Sequence, residues 1–203
     1  MTEPTIRSMF KYPSYNVMDQ QNHWDEHTRS IVNARLIRER NYQFLSYPEA
    51  EQIRAAAEAL CGDDRSPIIQ YVVCHIDESL AKPIGEGDRK AGLPQAGELV
   101  RQGLKLLNAA AVRRFQGTFI SIGTDSQALL LDEISRGYGK PADLWQGFDQ
   151  IAFFKKLLRL SLDAYYSHPT VWSEIGYGGP AYPRGYVRAH LNQYDPWEAQ
   201  PNG

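Results

Sequence analysis

The chain has 203 residues, and its 22 lysine and arginine residues nearly balance its 24 aspartate and glutamate residues, for a net charge of -2. This length suits one domain with a single core. Nearly balanced charge, without any run of lysine or arginine, argues against a nucleic-acid partner. The chain also lacks a stretch of about eighteen apolar residues, which argues against direct insertion into a membrane.

The first predicted elements are an extended arm and a helix. Residues 1–21 are expected to form the arm, which carries Tyr12 and Tyr15. The helix follows within residues 22–40, with Asn22 as a suitable cap and Val32 on its apolar face. The chain therefore begins with an irregular aromatic segment that leads into helical structure.

The second and third predicted helices have clear start and stop signals. Ser46 and Glu49 have the spacing of a capping box, and Gly62 is a suitable helix end. Pro67 suits the first turn of the third helix. Apolar residues at helical spacing predict the buried stripe of that helix: Ile69, Val72, Val73, Ile76 and Leu80.

Three more helices are predicted before the tail. Residues 95–115 form the fourth helix, in which Gly103 would allow a neighbouring helix to approach closely. Thr124 and Gln127 have capping-box spacing at the start of the fifth helix. The sixth, in residues 148–166, is apolar around more than half of its circumference, so we expect it at the centre of the bundle.

These elements predict an all-α, single-domain bundle of about six helices in residues 1–203. The arm covers residues 1–21, the bundle residues 22–167, and an irregular tail rich in glycine, proline and aromatic residues covers residues 168–203. The pattern contains no internal repeat and no linker that would divide the chain.

Cys61 and Cys74 are the only two cysteines, too few for a disulfide framework. Two buried free thiols are one interpretation, and a single bridge formed in oxidising surroundings is the alternative. The opening residues 1–17 lack the features of a secretory signal. We therefore expect a cytoplasmic chain with reduced cysteines, and export together with a partner that carries a signal is the alternative.

The motifs that would indicate a catalytic, cofactor or haem site are missing or incomplete. Cys74 and His75 lack the second cysteine of a covalent haem motif, because Tyr71 occupies that position. "GYGGPA" matches the spacing of a dinucleotide-binding loop, but Pro180 and Pro183 oppose the helix that must follow. We therefore assign no catalytic residue and no cofactor-binding residue to this chain.

The titratable residues also have structural interpretations. His23 and His27 lack a third ligand nearby, so we assign no metal site. Asp77 with Glu78, and Asp132 with Glu133, are interpreted as parts of solvated helix faces.

The tail combines many aromatic rings with backbone that glycine and proline make irregular. Such rings are typical of interfaces, because they fill pockets and offer a polar tip. The alternative is that both ends wrap the chain's own bundle. The predicted partner-binding residues are Tyr12, Tyr15, Trp24, Tyr166, Pro169, Trp172, Tyr177, Gly178, Gly179, Pro180, Tyr182, Pro183 and Tyr186.

The segment "YYSHPTVWSEIGYGGPAYPRGY" resembles the C-terminal signature of the gluconate 2-dehydrogenase subunit 3 family. "YVVCHIDESLA", "QALLLDEISRG" and "FFKKLL" precede it in the order that the family shows, so the resemblance extends from about Ser46 to Tyr186. Members are small, cofactor-free subunits of flavin-dependent sugar or polyol dehydrogenases. They accompany a large flavoprotein of the glucose-methanol-choline class and often a cytochrome c.

The resemblance implies a non-catalytic accessory subunit that binds and stabilises, or matures, an FAD-containing dehydrogenase subunit, with a cytochrome c as a further partner. Many members carry a twin-arginine signal and are thought to help the folded flavoprotein cross the membrane. Residues 1–15 of this chain contain no such signal. An independent helical scaffold or chaperone, and a free-standing enzyme with an unrecognised site, are the alternatives.

Overall fold

The computed structural model describes residues 11–82, 91–185, 187–188, 190 and 193–200. All the regular structure in these residues is helical, which confirms the all-α prediction. The α-helices are α1 (Glu26–Asn33), α2 (Tyr47–Cys61), α3 (Ser66–Ala81), α4 (Ala96–Phe115), α5 (Thr124–Ser135), α6 (Gln150–Tyr165) and α7 (Pro169–Ile175). Two short 3₁₀ helices lie at Val17–His23 and Ala142–Trp145.

Residue contacts group the chain into two compact units. The terminal unit contains the described parts of residues 1–38 and 165–203, and the central unit contains residues 39–164. Helix α1 belongs to the terminal unit by its contacts, although it was predicted to be part of the bundle of residues 22–167. That the chain is one domain stays a prediction.

The start and the end of α2 confirm the sequence signals. The Ser46 backbone N–H donates to a carboxylate oxygen of Glu49 at 2.8 Å, as in a capping box. Gly62 adopts the left-handed conformation that ends the helix, with φ of 64°. Local chemistry alone therefore sets both ends of this helix.

Helix α3, and not α6, is the most buried helix of the described chain. Ten of its 16 residues are buried, including the whole predicted stripe from Ile69 to Leu80. Helix α6 buries only Phe153, Leu157, Ser161 and Ala164. The prediction of a central α6 is wrong because apolar residues on its other faces, such as Ile151, remain partly exposed.

Gly103 allows α4 and α6 to approach closely, as predicted. A Cβ atom at position 103 would lie 2.2 Å from Cδ2 of Phe153, a distance that atoms in contact do not reach. The Phe153 ring, which is fully buried, thus occupies the space that a side chain would need.

We predict that Gly103→Ala lowers the free energy of unfolding by about 1–3 kcal/mol, because overpacking outweighs the gain in helix propensity of roughly 1 kcal/mol. Urea unfolding followed by circular dichroism measures the change. Gly123→Ala is the control for steric overlap, since a Cβ atom there meets nothing within 4 Å and its φ is -62°, and any loss of stability in this variant comes from the weaker cap of α5. Wild-type stability in Gly103→Ala would show that the two helices can separate without cost.

Asp77 is a buried anchor, so its interpretation as part of a solvated face is wrong. Its carboxylate accepts three backbone hydrogen bonds, from Gln43 at 2.8 Å, Phe44 at 2.9 Å and Leu45 at 2.8 Å. A buried carboxylate needs such partners to replace the hydration that it loses. Asp77 thereby fixes the segment that leads into α2.

Glu133 is also buried, against the prediction of a solvated face, and it pairs with Arg114 at 2.5 Å. Its neighbour Asp132 is exposed, as predicted, and pairs with Arg136.

Helix α5 begins with Gly123 as its cap, so the predicted Thr124 cap is one residue too late. The Gln127 amide donates to the buried carbonyl of Phe119 instead of completing a capping box.

Capping residues correct the prediction of an extended arm. Asn16 accepts a hydrogen bond from the Met18 N–H at 3.1 Å and thereby caps the first 3₁₀ helix, so residues 17–21 are not extended. The cap of α1 is Asp25, which accepts from the Thr28 N–H at 2.9 Å, and not Asn22. Both caps are short side chains with a hydrogen-bond acceptor oxygen. Several other residues of this segment also have such side chains.

The predicted irregular tail contains a helix at its start. Pro169 lies in the first turn of α7, where its missing N–H costs nothing, and His168 Nδ1 accepts from the Thr170 N–H at 3.2 Å. Gly176 ends the helix in the left-handed conformation. The prediction fails for residues 169–175 because the proline and the glycine mark the two ends of a short helix.

Candidate functional site

The predicted partner-binding residues that the structure describes all lie in the terminal unit, to which both chain ends contribute. Tyr186 lies outside the described residues. The structure therefore brings Tyr12 and Tyr15 of the arm, together with Trp24 and Tyr166, into the same compact unit as the tail residues 169–183. Within this unit the candidates divide into a buried set and an exposed set.

Two of the predicted anchors form the core of the terminal unit. Trp24 and Trp172 are only 2% and 6% exposed, and they pack with Val17 and Val32. The indole N–H of Trp172 donates to the Tyr166 carbonyl at 2.6 Å. Both rings are therefore packed inside the terminal unit, where the segment of Trp24 and the segment of Trp172 contact each other.

Arg35 contributes a positive charge beside this core. Its guanidinium lies 5.2 Å from the centre of the Trp172 ring, and Nη1 donates to the Ser167 carbonyl at 2.8 Å. A guanidinium can bind an aromatic face and a carbonyl at once because it is planar and has several donors. Arg35 is not among the predicted site residues, and its three-residue spacing from Val32 is the only local signal.

Tail glycines provide the surface against which the arm packs. A Cβ atom at Gly179 would lie 2.7 Å from Cζ2 of Trp24, and one at Gly176 would lie 2.4 Å from Cε2 of Tyr12. Both glycines also have positive φ.

Gly176 ends a helix here, whereas the first glycine of a dinucleotide-binding loop precedes the N-terminus of a helix. The "GYGGPA" segment therefore lacks the geometry of a dinucleotide-binding loop.

Tyr15, Arg184 and Trp197 join the arm to the end of the tail. The Tyr15 hydroxyl donates to the Trp197 carbonyl at 2.7 Å. The Arg184 guanidinium lies 4.6 Å from the centre of the Trp197 ring and donates to the Gly178 carbonyl. Burial raises the pKa of Tyr15 to about 12, and the nearby positive charge of Arg184 only partly offsets this rise.

A buried carboxylate organises the same part of the tail. Asp195 accepts hydrogen bonds from the N–H groups of Val187 and Arg188, both at 3.1 Å. Trp197, Arg184 and Asp195 were not among the predicted site residues. Because their partners lie far away in sequence or in irregular backbone, no periodic pattern identifies them.

We predict that the Tyr15 hydroxyl ionises only at about pH 12. Because its folded pKa is raised above the usual value of about 10, Tyr15 stabilises the fold below that pH and loses this contribution as pH rises towards 12. In a spectrophotometric titration, the ionisation step of Tyr15 near pH 12 should be missing in Tyr15→Phe and present in the control Tyr182→Phe. A titration of Tyr15→Phe that retains the late step would contradict this assignment.

The exposed set consists of the remaining tyrosines. Tyr182 is 68% exposed, Tyr166 53% and Tyr177 39%. The ring of Tyr177 meets that of Trp172 edge to face, with centres 5.3 Å apart, so the buried core helps to orient it. These three rings have surface available to a partner.

A groove in the same unit, of about 310 Å³, opens beside the arm and α7. We call it the arm groove. Tyr12 and Tyr15 contribute to its walls, so these two predicted residues meet at one feature. Its lining residues are Tyr12, Pro13, Tyr15, Asn16, Met18, Leu36, Thr170, Ser173 and Glu174.

Neither cysteine forms a disulfide in the structure, so the alternative of a single bridge is not observed. Cys74 is buried as expected, whereas Cys61 is only partly buried. The Cys74 sulfur accepts a hydrogen bond from the Gln70 amide at 3.0 Å. Burial raises the pKa of the Cys61 thiol to about 11, and the charge of Asp63 adds to the effect. This pKa disfavours the reactive thiolate at neutral pH.

We predict that alkylation of Cys61 in the folded chain accelerates up to about pH 11. At pH 8 only about one thiol in a thousand would be ionised, compared with about one in four in the unfolded chain. Peptide mass spectrometry after timed iodoacetamide treatment measures the rate, and the urea-unfolded chain is the control. A folded-state rate that levels off near pH 9 would refute the raised pKa.

Two negative findings apply to the residues that the structure describes. Their histidine, cysteine, aspartate and glutamate side chains do not gather in groups of three or more that could hold a metal ion. None of their helices combines the length and apolar character needed to cross a membrane.

Comparison with known proteins identifies the family. The profile of gluconate 2-dehydrogenase subunit 3 matches residues 48–179, which is more than half of the chain. The chain therefore belongs to the gluconate 2-dehydrogenase subunit 3 family, which confirms the resemblance over the matched residues. The match runs from the first turn of α2 to Gly179, beside Trp24. No curated protein and no solved structure matches the chain.

Proposed function

We propose that the chain is a non-catalytic accessory subunit that binds and stabilises, or matures, a flavin-dependent dehydrogenase acting on a sugar or polyol. The larger partner belongs to the glucose-methanol-choline class and holds the FAD, and a cytochrome c is a further partner of the complex. The chain itself contributes no cofactor and no catalytic residue. Membership of a family named as subunit 3 of a dehydrogenase carries this proposal.

The arrangement of the terminal unit supports an interaction role. Tyrosine is enriched at protein interfaces because its ring buries apolar area while its hydroxyl keeps a hydrogen-bond partner. Here Tyr166, Tyr177 and Tyr182 are exposed on a unit whose own core already contains two tryptophans. Tyr177 packs edge to face on Trp172, so this ring is held in place before binding and loses little conformational entropy when a partner docks.

We predict that the tagged chain, purified from its native cell, co-elutes in fixed stoichiometry with a larger polypeptide that has the absorbance of flavin. The isolated chain should show neither flavin nor haem absorbance. If the chain stabilises its partner by binding only the folded form, the melting temperature of the flavoprotein should rise as the chain is added. Size-exclusion chromatography with visible detection, followed by thermal melting, gives both results.

Two outcomes would contradict the proposal. Stoichiometric flavin in the isolated chain would favour a free-standing enzyme. A chain that forms no complex with a flavoprotein would favour an independent scaffold or chaperone.

A further inference from the structure

We infer that the terminal unit opens and closes as one cooperative structure while the central unit stays folded. The terminal unit consists of an N-terminal segment, within residues 1–38, and a C-terminal segment, within residues 165–203. Opening separates these two segments, and closing rebuilds the unit that carries the exposed tyrosines. The inference concerns the isolated chain, so it does not depend on the proposed function.

The first argument is the length of the helices in the terminal unit. The first 3₁₀ helix and α7 have seven residues each, and α1 has eight. Isolated helices shorter than about 12–15 residues are marginal in water, so they need packing to stay folded. In the central unit, α2, α3 and α4 have 15, 16 and 20 residues. The helices of the terminal unit therefore depend more strongly on their contacts with one another.

The second argument is the small core that the two segments share. The N-terminal segment contributes Val17, Trp24 and Val32 to this core, and the C-terminal segment contributes Trp172. Separation of the segments exposes these side chains together, so opening should be cooperative. Helix α3 alone has ten buried residues in the central unit. Because the free energy of opening increases with the apolar area that becomes exposed, the terminal unit should open more often than the central unit.

The third argument is a group that destabilises the closed state. Trp24 is buried, and its indole N–H makes no hydrogen bond to the residues that the structure describes. A buried donor without an acceptor is unfavourable, whereas water can accept its hydrogen bond once the unit opens. Trp172 differs, because its indole N–H donates to the Tyr166 carbonyl. The closed terminal unit thus contains one buried polar group that favours opening.

The fourth argument is that polar contacts also join the two segments. The Val17 N–H donates to the Ser173 hydroxyl at 3.0 Å, and the Tyr15 hydroxyl donates to the Trp197 carbonyl at 2.7 Å. Each of these bonds has one partner in each segment, so neither bond survives when the segments separate. Backbone amides of both segments should therefore lose their protection in the same event.

Opening of the terminal unit gives the chain a point at which binding can be controlled. The ring of Tyr177 is oriented by its edge-to-face contact with Trp172, whose surroundings exist only in the closed state. A partner that binds only the closed unit shifts the population towards that state. Conditions that favour the open state would weaken the binding of such a partner.

Native-state hydrogen exchange of the full-length chain tests the inference, with NMR spectroscopy to resolve single amides at low urea concentrations. We predict that the amides of Val17 and Trp172 exchange through one shared opening, with equal protection and equal dependence on urea. Their exchange should be at least about a hundredfold faster than that of the most protected amides of α3. Equal protection of Trp172 and α3 would overturn the inference, because the chain would then open as a single unit.

Val17→Ala weakens the shared core from the N-terminal side. We predict that exchange of the Trp172 amide, in the other segment, accelerates at least about fivefold, while the amides of α3 keep their wild-type rates. Val73→Ala is the matched control, because Val17 and Val73 are both fully buried valines and Val73 lies in α3. The control should accelerate exchange in α3 and leave the Trp172 amide at its wild-type rate.

Two results of the variant experiment would contradict the inference. Faster exchange of the N-terminal segment alone in Val17→Ala would show that the two segments open separately. Equal acceleration of α3 and Trp172 in that variant would show that the two units do not open independently. Circular dichroism checks that each variant folds, and if Val17→Ala does not fold, the wild-type exchange rates still decide between the outcomes.

Discussion

The terminal unit depends on the packing of Trp172 against Trp24, with Val17 and Val32 beside them. Burial of large aromatic rings is the main apolar contribution available to a unit this small, since each ring buries roughly 150–250 Å². Further contacts link the same two segments. They are Tyr12 on Gly176, the Tyr15 hydroxyl on the Trp197 carbonyl and the Val17 N–H on the Ser173 hydroxyl.

Aromatic composition alone cannot distinguish the interior of a small unit from a binding surface. The same tail supplies Trp172, which is buried, and Tyr182, which is mostly exposed. Both residues stand near glycine and proline, and both have flat rings with one polar atom. The difference arises from tertiary contacts with the arm, more than a hundred residues away in sequence, so it could be found only in the structure.

Features set by neighbouring residues could be predicted from the sequence. The cap of α2, the stripe of α3 and the close approach at Gly103 follow from short spacings and are present as expected. Features set by distant partners could not be predicted in this way. They include the anchor role of Asp77, the partial exposure of α6 and the burial of Trp24. The helix α7 is an intermediate case, because its proline and glycine can signal irregular backbone or the two ends of a helix.

The discontinuity of the terminal unit sets an order for biosynthesis. Trp24 is translated before the whole central unit, and its packing partner Trp172 is translated after it. At roughly 5–20 residues per second, the arm must wait on the order of ten seconds for the tail to appear. A chain that stops early therefore has no completed terminal unit. The arm groove together with the three exposed tyrosines can form only after translation has passed Tyr182, so this surface is absent from every shorter nascent chain.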